Sequence, residues 1–136
     1  MTTLRIGELA SQGSVNLETI RYYEREGLMR PPKRTPSGHR AYLPADLLRL
    51  RFIKRSQALG FTLTEVKELL ALKVTPNQPC IDVVHQIEAK AREVRAKIAH
   101  LQAIQRTLHK MNASCEGRCS VSECPILESL DSEHPS

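Results

Sequence analysis

The four cysteines are the residues best suited to chemistry in this chain of 136 residues. Cys80 stands apart, whereas Cys115, Cys119 and Cys124 lie close together near the C-terminus. Thiolates are soft ligands, and a site made only of sulfur selects soft cations over those that prefer oxygen. Three converging thiolates suit three-coordinate Hg(II) or Pb(II), whereas Zn(II) takes four ligands. The cysteines therefore predict a site for a thiophilic metal ion.

The sequence around each cysteine predicts a different environment. Cys80 directly precedes a long predicted helix and Cys124 a short one, and the partial positive charge of a helix N-terminus favours thiolate over thiol. Cys115 lies at the opposite end of the long helix, so it needs a metal or a positive neighbour to lose its proton. Cys119 lies in a loop of glycine and serine, where it could supply a further ligand or point outward.

A long helix must position these thiols. No proline or glycine occurs between Pro79 and Gly117, so one continuous helix is predicted. Its apolar residues form a heptad seam typical of a coiled coil: Val84, Ile87, Ala91, Val94, Ile98, Leu101 and Leu108. At 1.5 Å per residue its ends are roughly 50 Å apart, so Cys80 and Cys115 cannot meet within one chain. They can meet between the chains of a homodimer whose helices pair antiparallel.

Three other interpretations of the cysteines compete with a metal sensor. The C-terminal cluster could hold structural zinc, with His109 or His134 as a weak fourth ligand. The thiols could form disulfides as a redox switch. Cys80 could also be a small buried residue at a dimer contact. Metal sensing ranks first because an antiparallel coiled coil brings Cys80 to the other thiols directly.

Positive charge is concentrated in the first part of the chain. Residues 1–60 carry 11 Lys/Arg against 5 Asp/Glu, whereas residues 61–136 carry 9 against 10. This asymmetry indicates that the first half binds a polyanion, with nucleic acid the leading candidate. The sequence shows no arrangement of residues typical of an enzyme. With no apolar run near 18 residues and no signal peptide, we expect a cytoplasmic protein that does not enter a membrane.

Residues 4–29 predict two short helices around a tight turn, which is the helix-turn-helix pattern. Asn16 is a good N-cap for the second helix, and Gly27 is suited to end it. Leu17 and Ile20 are expected to face inward. The candidates for contact with DNA on this helix are Thr19, Arg21, Tyr22, Tyr23 and Arg25. Taken alone, the segment could equally be a helical hairpin with a basic solvated face.

Residues 30–42 predict a basic hairpin, because they combine three prolines, a Ser-Gly turn and four Lys/Arg. A hairpin that directly follows a helix-turn-helix is a wing, suited to phosphate or minor-groove contact. The candidates for DNA contact here are Arg34, His39, Arg40 and Tyr42.

A second helical pair is expected to share one core with the first. The apolar stripe of its first helix is predicted to comprise Leu47, Leu50, Ile53 and Leu59, and Thr62 with Glu65 forms a capping box for its second helix. The predicted organisation is a DNA-binding domain over 1–72, a linker over 73–79, a dimerisation helix over 80–113, a metal-binding loop and short helix over 114–130, and a disordered tail over 131–136.

These segments together resemble the MerR family of metal-responsive transcription regulators. The resemblance rests on RIGELA near the start, VNLETIRYYEREGL in the recognition helix, GHRAY in the wing and RFIKRSQALGFTLTEVKELL in the second helical pair. Within the family it is greatest to the mercuric-resistance regulators, whose cysteines match Cys80, Cys115 and Cys124 in separation. Cys80 in place of a serine argues against the branch that senses monovalent copper. Lead and cadmium sensors use a similar trio, and Cys119 departs from the mercury pattern.

The resemblance implies both a fold and a mechanism. The fold is all-α with a small β-wing: a winged helix-turn-helix domain, a long antiparallel coiled-coil helix and a C-terminal metal-binding loop. The dimer is expected to bind a palindromic operator within an overlong promoter spacer and to hold RNA polymerase inactive without metal. Hg(II), or alternatively Pb(II), Cd(II) or Zn(II), bound by Cys115 and Cys124 with Cys80 of the partner chain, would make the dimer distort the DNA and activate transcription.

Overall fold

The computed structural model describes residues 3–131, which are mainly helical. The elements in chain order are α1 (Ile6–Gly13), α2 (Leu17–Arg25), β1 (Lys33–Arg34), β2 (Arg40–Ala41), α3 (Pro44–Ala58), α4 (Leu63–Lys73), α5 (Ile81–Ser114), a 3-10 turn (Val121–Glu123) and α6 (Pro125–Asp131). The chain forms two compact units, Met1–His85 and Gln86–Ser136. The predicted fold class is confirmed: a mostly helical chain with a two-stranded wing, a long helix and a C-terminal cysteine cluster.

The ends of the short helices form as predicted. The Asn16 side chain accepts a hydrogen bond from the backbone N–H of Thr19 at 2.8 Å and so caps α2. Gly27 has a φ of +78°, the left-handed conformation that ends a helix. The Thr62 hydroxyl and the Glu65 carboxylate each accept a bond from the other's backbone N–H, so the predicted capping box opens α4.

One hydrophobic core joins the helix-turn-helix to the second helical pair. Its fully buried aliphatic side chains are Leu9, Ile20, Leu28, Leu50, Ile53 and Val66. Lys54 on α3 also donates to the backbone carbonyls of Gly13 and Ser14, at 3.3 and 2.9 Å, and so fixes the end of α1.

Two leucines predicted to face inward are exposed instead. Leu17 is 38% exposed because it is the first residue of α2, and half-buried Val15 in the preceding turn packs against the core there. Leu59 is 66% exposed because α3 ends at Ala58, so the helical period no longer applies. The chain turns at Gly60, and Phe61 enters the core instead.

The wing is a short antiparallel hairpin, as predicted. Lys33 pairs with Ala41 and Arg34 with Arg40, around a turn in which Gly38 has a φ of +85°. Tyr42, expected as part of the returning strand, instead forms a bridge to Leu4 through backbone hydrogen bonds of 2.7 and 2.8 Å. The wing is thereby joined to the start of the chain.

The long helix forms without interruption over Ile81–Ser114. Most of its predicted seam is at least 39% exposed within the single chain: Val84, Ile87, Val94, Ile98, Leu101 and Leu108. Ala91 is half-buried. A row of exposed aliphatic side chains on one helix is what a coiled-coil partner would cover, but the pairing itself stays a prediction.

The predicted domain boundaries also stay predictions. Asp131, the first residue of the predicted tail, ends α6, and the rest of that tail lies outside the described residues, as does His134. None of the helices within residues 3–131 is long and apolar enough to span a membrane.

Candidate nucleic-acid interface and metal centre

The exposed face of α2 carries three of the predicted DNA contacts. Arg21 is exposed and forms an ion pair with Glu18, one turn earlier, at 3.0 Å. Tyr22 is 40% exposed, and the Arg25 guanidinium lies 5.9 Å from the centre of its ring. These cationic and aromatic groups face solvent on the helix that a helix-turn-helix places in the major groove.

Thr19 is half-buried, and its hydroxyl donates to the Asn16 side chain at 2.9 Å. This side chain therefore supports the helix cap. The helix cap does not test whether Thr19 also contacts DNA, so that contact stays a prediction.

Tyr23 and Tyr42 are placed in the core, although both are among the predicted DNA contacts. The Tyr23 ring is 5% exposed and its hydroxyl donates to Gln57 at 2.5 Å. Tyr42 is fully buried, and its hydroxyl donates to the Glu24 carboxylate at 2.9 Å. Burial raises the pKa of each of these two phenols above the ordinary value for tyrosine. In this structure the two tyrosines hold α2 and the wing in place rather than presenting rings to solvent.

The wing presents its other predicted contacts differently. Arg34 is exposed and donates to the Gly38 carbonyl at 3.0 Å, which braces the turn. His39 is exposed at the tip. Arg40 is half-buried and forms an ion pair with Glu24 at 3.1 Å, so its charge is already partly compensated. Arg34 and His39 are therefore more accessible to a phosphate than Arg40.

Glu24 links the predicted recognition helix to the wing, a role that the sequence analysis did not predict. Its carboxylate accepts from both the Arg40 guanidinium and the Tyr42 hydroxyl, so it ties α2 to the wing. The sequence offered one indication of this role, because Glu24 is an acidic residue between the aromatic and basic residues Tyr23 and Arg25 of the predicted recognition helix. An acidic residue that is largely buried there, as Glu24 is, needs a cationic partner, which Arg40 supplies.

A basic cleft of about 340 Å³ lies beside the end of α1. It is lined by Gln12, Gly13, Ser14, Arg51, Lys54, Arg55 and Ala58. Three cationic side chains on one wall suit an anionic group such as a phosphate. None of these residues was among the predicted DNA contacts.

The candidate metal centre is built from the loop that follows α5. The Sγ atoms of Cys115, Cys119 and Cys124 all lie within 4.8 Å of one another. Gly117, with a φ of +84°, turns the chain directly after Cys115. The 3-10 turn at Val121–Glu123 then returns it to Cys124. The loop thus gathers three sulfur ligands from one chain.

Hydrogen bonds distribute the protons unevenly within this cluster. The backbone N–H of Gly117 donates to the Cys115 Sγ at 3.4 Å, which lowers the pKa of Cys115 below its ordinary value. Cys115 and Cys119 sulfurs are 3.4 Å apart, and this contact lowers the pKa of Cys115 further while it raises the pKa of Cys119. The contact therefore favours the thiolate form at Cys115 and the thiol form at Cys119.

Cys80 is exposed and belongs to the first unit, directly before α5. All four cysteines are free thiols. The donor set fits a soft cation, because sulfur is the only ligand type that the cluster offers. Cys119, which the sequence left as a less favoured ligand, is brought to the other two by the turn at Gly117.

Comparison with known families decides the identity of the fold. Residues 4–73 match the family described as MerR HTH family regulatory protein, and residues 47–111 match the one described as MerR, DNA binding. The chain belongs to the MerR family.

Relatives and solved structures place it among the metal-responsive regulators of the MerR family. The mercuric resistance operon regulatory protein of Bacillus cereus is 44% identical, covering 93% of this chain and 96% of its own. The lead(II) complex of the transcription regulator PbrR691 from Ralstonia metallidurans CH34 is 38% identical, with a TM-score of 0.84 and coverage of 93% and 98%. The mercury(II) complex of MerR from Bacillus megaterium MB1 is 40% identical, with a TM-score of 0.73 and coverage of 95% and 100%.

This protein is therefore a MerR-family, DNA-binding, metal-responsive transcription regulator. The family expectation from the sequence motifs is confirmed. Because its relatives include both mercury and lead proteins, membership of the MerR family does not by itself choose the metal.

Proposed function

We propose that this protein is a Hg(II)-responsive regulator of metal-resistance genes. As a homodimer it binds a palindromic operator in an overlong promoter spacer, represses transcription without metal, and activates it by distorting the DNA when metal binds. The main support is that the sulfurs of Cys115, Cys119 and Cys124 lie within 4.8 Å of one another. In addition, the chain is 44% identical to a mercuric resistance regulator.

The sensing site is shared between the two chains of the dimer. Cys115 and Cys124 bind the ion together with Cys80 of the partner subunit. The exposed aliphatic row on α5 supports this arrangement, because Ile98 is 50% and Leu101 62% exposed in the single chain. Burying such side chains against a second helix stabilises a pair by about 1.5–3 kcal/mol for each residue that becomes fully covered. An antiparallel pair carries each Cys80 to the opposite chain's thiols.

The first unit binds the operator, and RNA polymerase is the second partner. Exposed Arg21, Tyr22 and Arg25 on α2 enter the major groove, while Arg34 and His39 on the wing meet the backbone. The basic balance of residues 1–60 supplies the attraction to phosphate. A cytoplasmic location follows from these partners.

Switching works through the geometry of the dimer. A site that uses Cys80 of one chain and Cys115 with Cys124 of the other fixes the position of one DNA-binding unit against its mate. The bound operator DNA then changes its twist, and the energy of this deformation depends on the sequence of the spacer. A coupling of about 1–3 kcal/mol between the thiols and the DNA is enough to change transcription severalfold.

Two alternatives are each favoured by a specific observation. The similarity to the lead(II) complex of PbrR691, at a TM-score of 0.84, favours a Pb(II) or Cd(II) sensor of the same mechanism. The separation of 3.4 Å between the Cys115 and Cys119 sulfurs favours a redox regulator in which an oxidant such as peroxide converts the two thiols to a disulfide.

A promoter assay with purified protein, RNA polymerase and operator DNA tests these functions together. Separate titrations use Hg(II), Pb(II), Cd(II), Zn(II) and hydrogen peroxide. We expect Hg(II) to activate at the lowest concentration. Activation by Pb(II) or Cd(II) at lower concentrations would reassign the metal, and activation by peroxide without metal would replace the metal sensor with a redox regulator.

Cysteine variants test the site itself. Cys80→Ala, Cys115→Ala and Cys124→Ala should each abolish activation by Hg(II), because each removes one of three ligands. Operator binding should be unchanged, since the predicted DNA contacts lie on α2 and the wing. Retained activation in all three variants would contradict the assigned site.

A further inference from the structure

Cys119 is the thiol whose position the shared three-cysteine site leaves unused. Its Sγ lies 3.4 Å from that of Cys115, and both lie within 4.8 Å of the Cys124 Sγ. With a metal–sulfur bond of about 2.3 Å, sulfurs in a trigonal set lie about 4 Å apart. The three sulfurs of one chain are therefore already close to the spacing that a single ion requires.

The exposure of the thiols adds to this spacing. Cys119 is exposed, whereas Cys115 and Cys124 are half-buried. An ion that arrives from solvent meets the exposed sulfur first, and the other two lie within reach of the same ion.

We propose that Cys115, Cys119 and Cys124 form a capture site that holds a thiophilic cation within one chain, without Cys80 of the partner subunit. Cys80 of the partner subunit then acts in a second step. It binds the captured ion in place of Cys119 or in addition to it, and so links the two chains through the ion. Capture and switching thus depend on different cysteines of the same centre.

This inference rests on the proposed function for the class of ion and for the role of the partner's Cys80. It differs from that function in the source of the ligands, because one chain supplies three sulfurs, whereas in the shared site one chain supplies two and the partner supplies the third. Binding and transcription therefore separate the two ideas. Binding reports on capture, and activation of the promoter reports on switching.

Pb(II) is the probe for the binding measurement. A lead ion bound by three thiolates gives a strong sulfur-to-lead charge-transfer absorption, which two thiolates reproduce poorly. Full-length protein is titrated with Pb(II), while the thiols that remain reactive toward a colorimetric disulfide reagent are counted. We expect Cys80→Ser to keep the charge-transfer band at one ion per chain, with Cys115, Cys119 and Cys124 protected. The same variant should lose activation by Hg(II).

Two further variants complete the design. Cys80→Ser with Cys119→Ser should lose the band, because only two sulfurs remain. Cys119→Ser alone is the matched control and should keep the band and the Hg(II) response, since the partner's Cys80 supplies the third sulfur. Circular dichroism and operator binding confirm that each variant is folded.

Each result has a defined meaning. Loss of the band in Cys80→Ser alone would overturn the capture site while leaving the shared site intact. An unchanged band in the double variant would remove Cys119 from the ligands and overturn the proposal as well. If Cys80→Ser captures Pb(II) as expected but the wild-type protein is activated by no metal, the proposed function is contradicted and capture by one chain stays supported.

Discussion

Adjacent tyrosines on α2 have opposite surroundings. Tyr22 is 40% exposed beside Arg25, whereas Tyr23 is 5% exposed and bonded to Gln57. Successive residues of a helix point about 100° apart, so Tyr23 can face the core although Tyr22 beside it is exposed. Tyr23 therefore positions the helix, and Arg21, Tyr22 and Arg25 are the exposed residues of α2 that we propose as DNA contacts.

Arg21 offers a direct test of this division. Arg21→Ala should weaken operator binding by about 1–3 kcal/mol if the guanidinium contacts a base edge. Arg95→Ala, which removes the same charge from an exposed position on α5, is the matched control. Fluorescence anisotropy with labelled operator at several salt concentrations measures both affinities. Equal affinities for the two variants would remove Arg21 from the contacts.

The helices of the first unit approach closely enough to require glycine at one contact. A Cβ added at Gly13 would lie 2.3 Å from the Leu50 Cδ2, whereas a Cβ added at Gly7 in the same helix would meet nothing within 4 Å. α1 therefore packs closely against the Leu50 side chain of α3 at Gly13, the last residue of α1, which explains why this position carries a glycine.

The two glycines make a matched pair of substitutions. Gly13→Ala should lower the free energy of unfolding by about 1–3 kcal/mol, because Leu50 must move from its packed position. Gly7→Ala should raise it by up to about 1 kcal/mol, because alanine favours the helical backbone and has space. Urea unfolding followed by circular dichroism measures both. A neutral Gly13→Ala would show that α1 and α3 adjust without strain.

The contact between α2 and the wing depends on one carboxylate. Glu24→Gln removes the charge that accepts from Arg40 and Tyr42, and we expect the free energy of unfolding to fall by about 1–3 kcal/mol. Operator affinity should fall too, because the wing is no longer held against the recognition helix. Urea unfolding and operator binding by anisotropy provide the two readouts.

Glu26→Gln is the control for this substitution. Glu26 is exposed at the end of α2, where an acidic side chain faces the negative end of the helix dipole. Its replacement should leave both stability and operator affinity nearly unchanged. If the two variants behaved alike, Glu24 would have no special part in holding the wing.

The proposed function makes the whole dimer the sensing device, with thiols from both compact units. Cys80 belongs to the unit Met1–His85, and the three clustered cysteines belong to the unit Gln86–Ser136. We expect a heterodimer of one Cys80→Ala chain and one Cys115→Ala chain to regain activation by Hg(II). One shared site in that heterodimer keeps its full set of ligands. Purified heterodimers carrying two different affinity tags, in the promoter assay, measure the recovery.

The parent homodimers are the controls for this mixture, and each should be inactive. Activation that stays absent in the heterodimer would contradict a site shared between chains. A response in the Cys80→Ala homodimer itself would mean that capture by one chain is sufficient for switching.

Local sequence determined most of the elements of this protein. Asn16, Gly27, Thr62 and Glu65 act through hydrogen bonds and backbone conformations within a few residues, so their roles could be predicted directly. The absence of proline and glycine likewise predicted the uninterrupted helix α5. The family motifs are also local, and the assignment to the MerR family followed from them.

Contacts between distant residues were decided by the tertiary structure. Periodicity could not show that Leu59 falls beyond the end of α3, or that Tyr42 and Glu24 meet across 18 positions of the chain. It also could not choose a direction for Cys119, because a glycine-containing loop permits several. Only the turn at Gly117 placed that sulfur beside Cys115, since the direction of a side chain depends on the path of the whole loop.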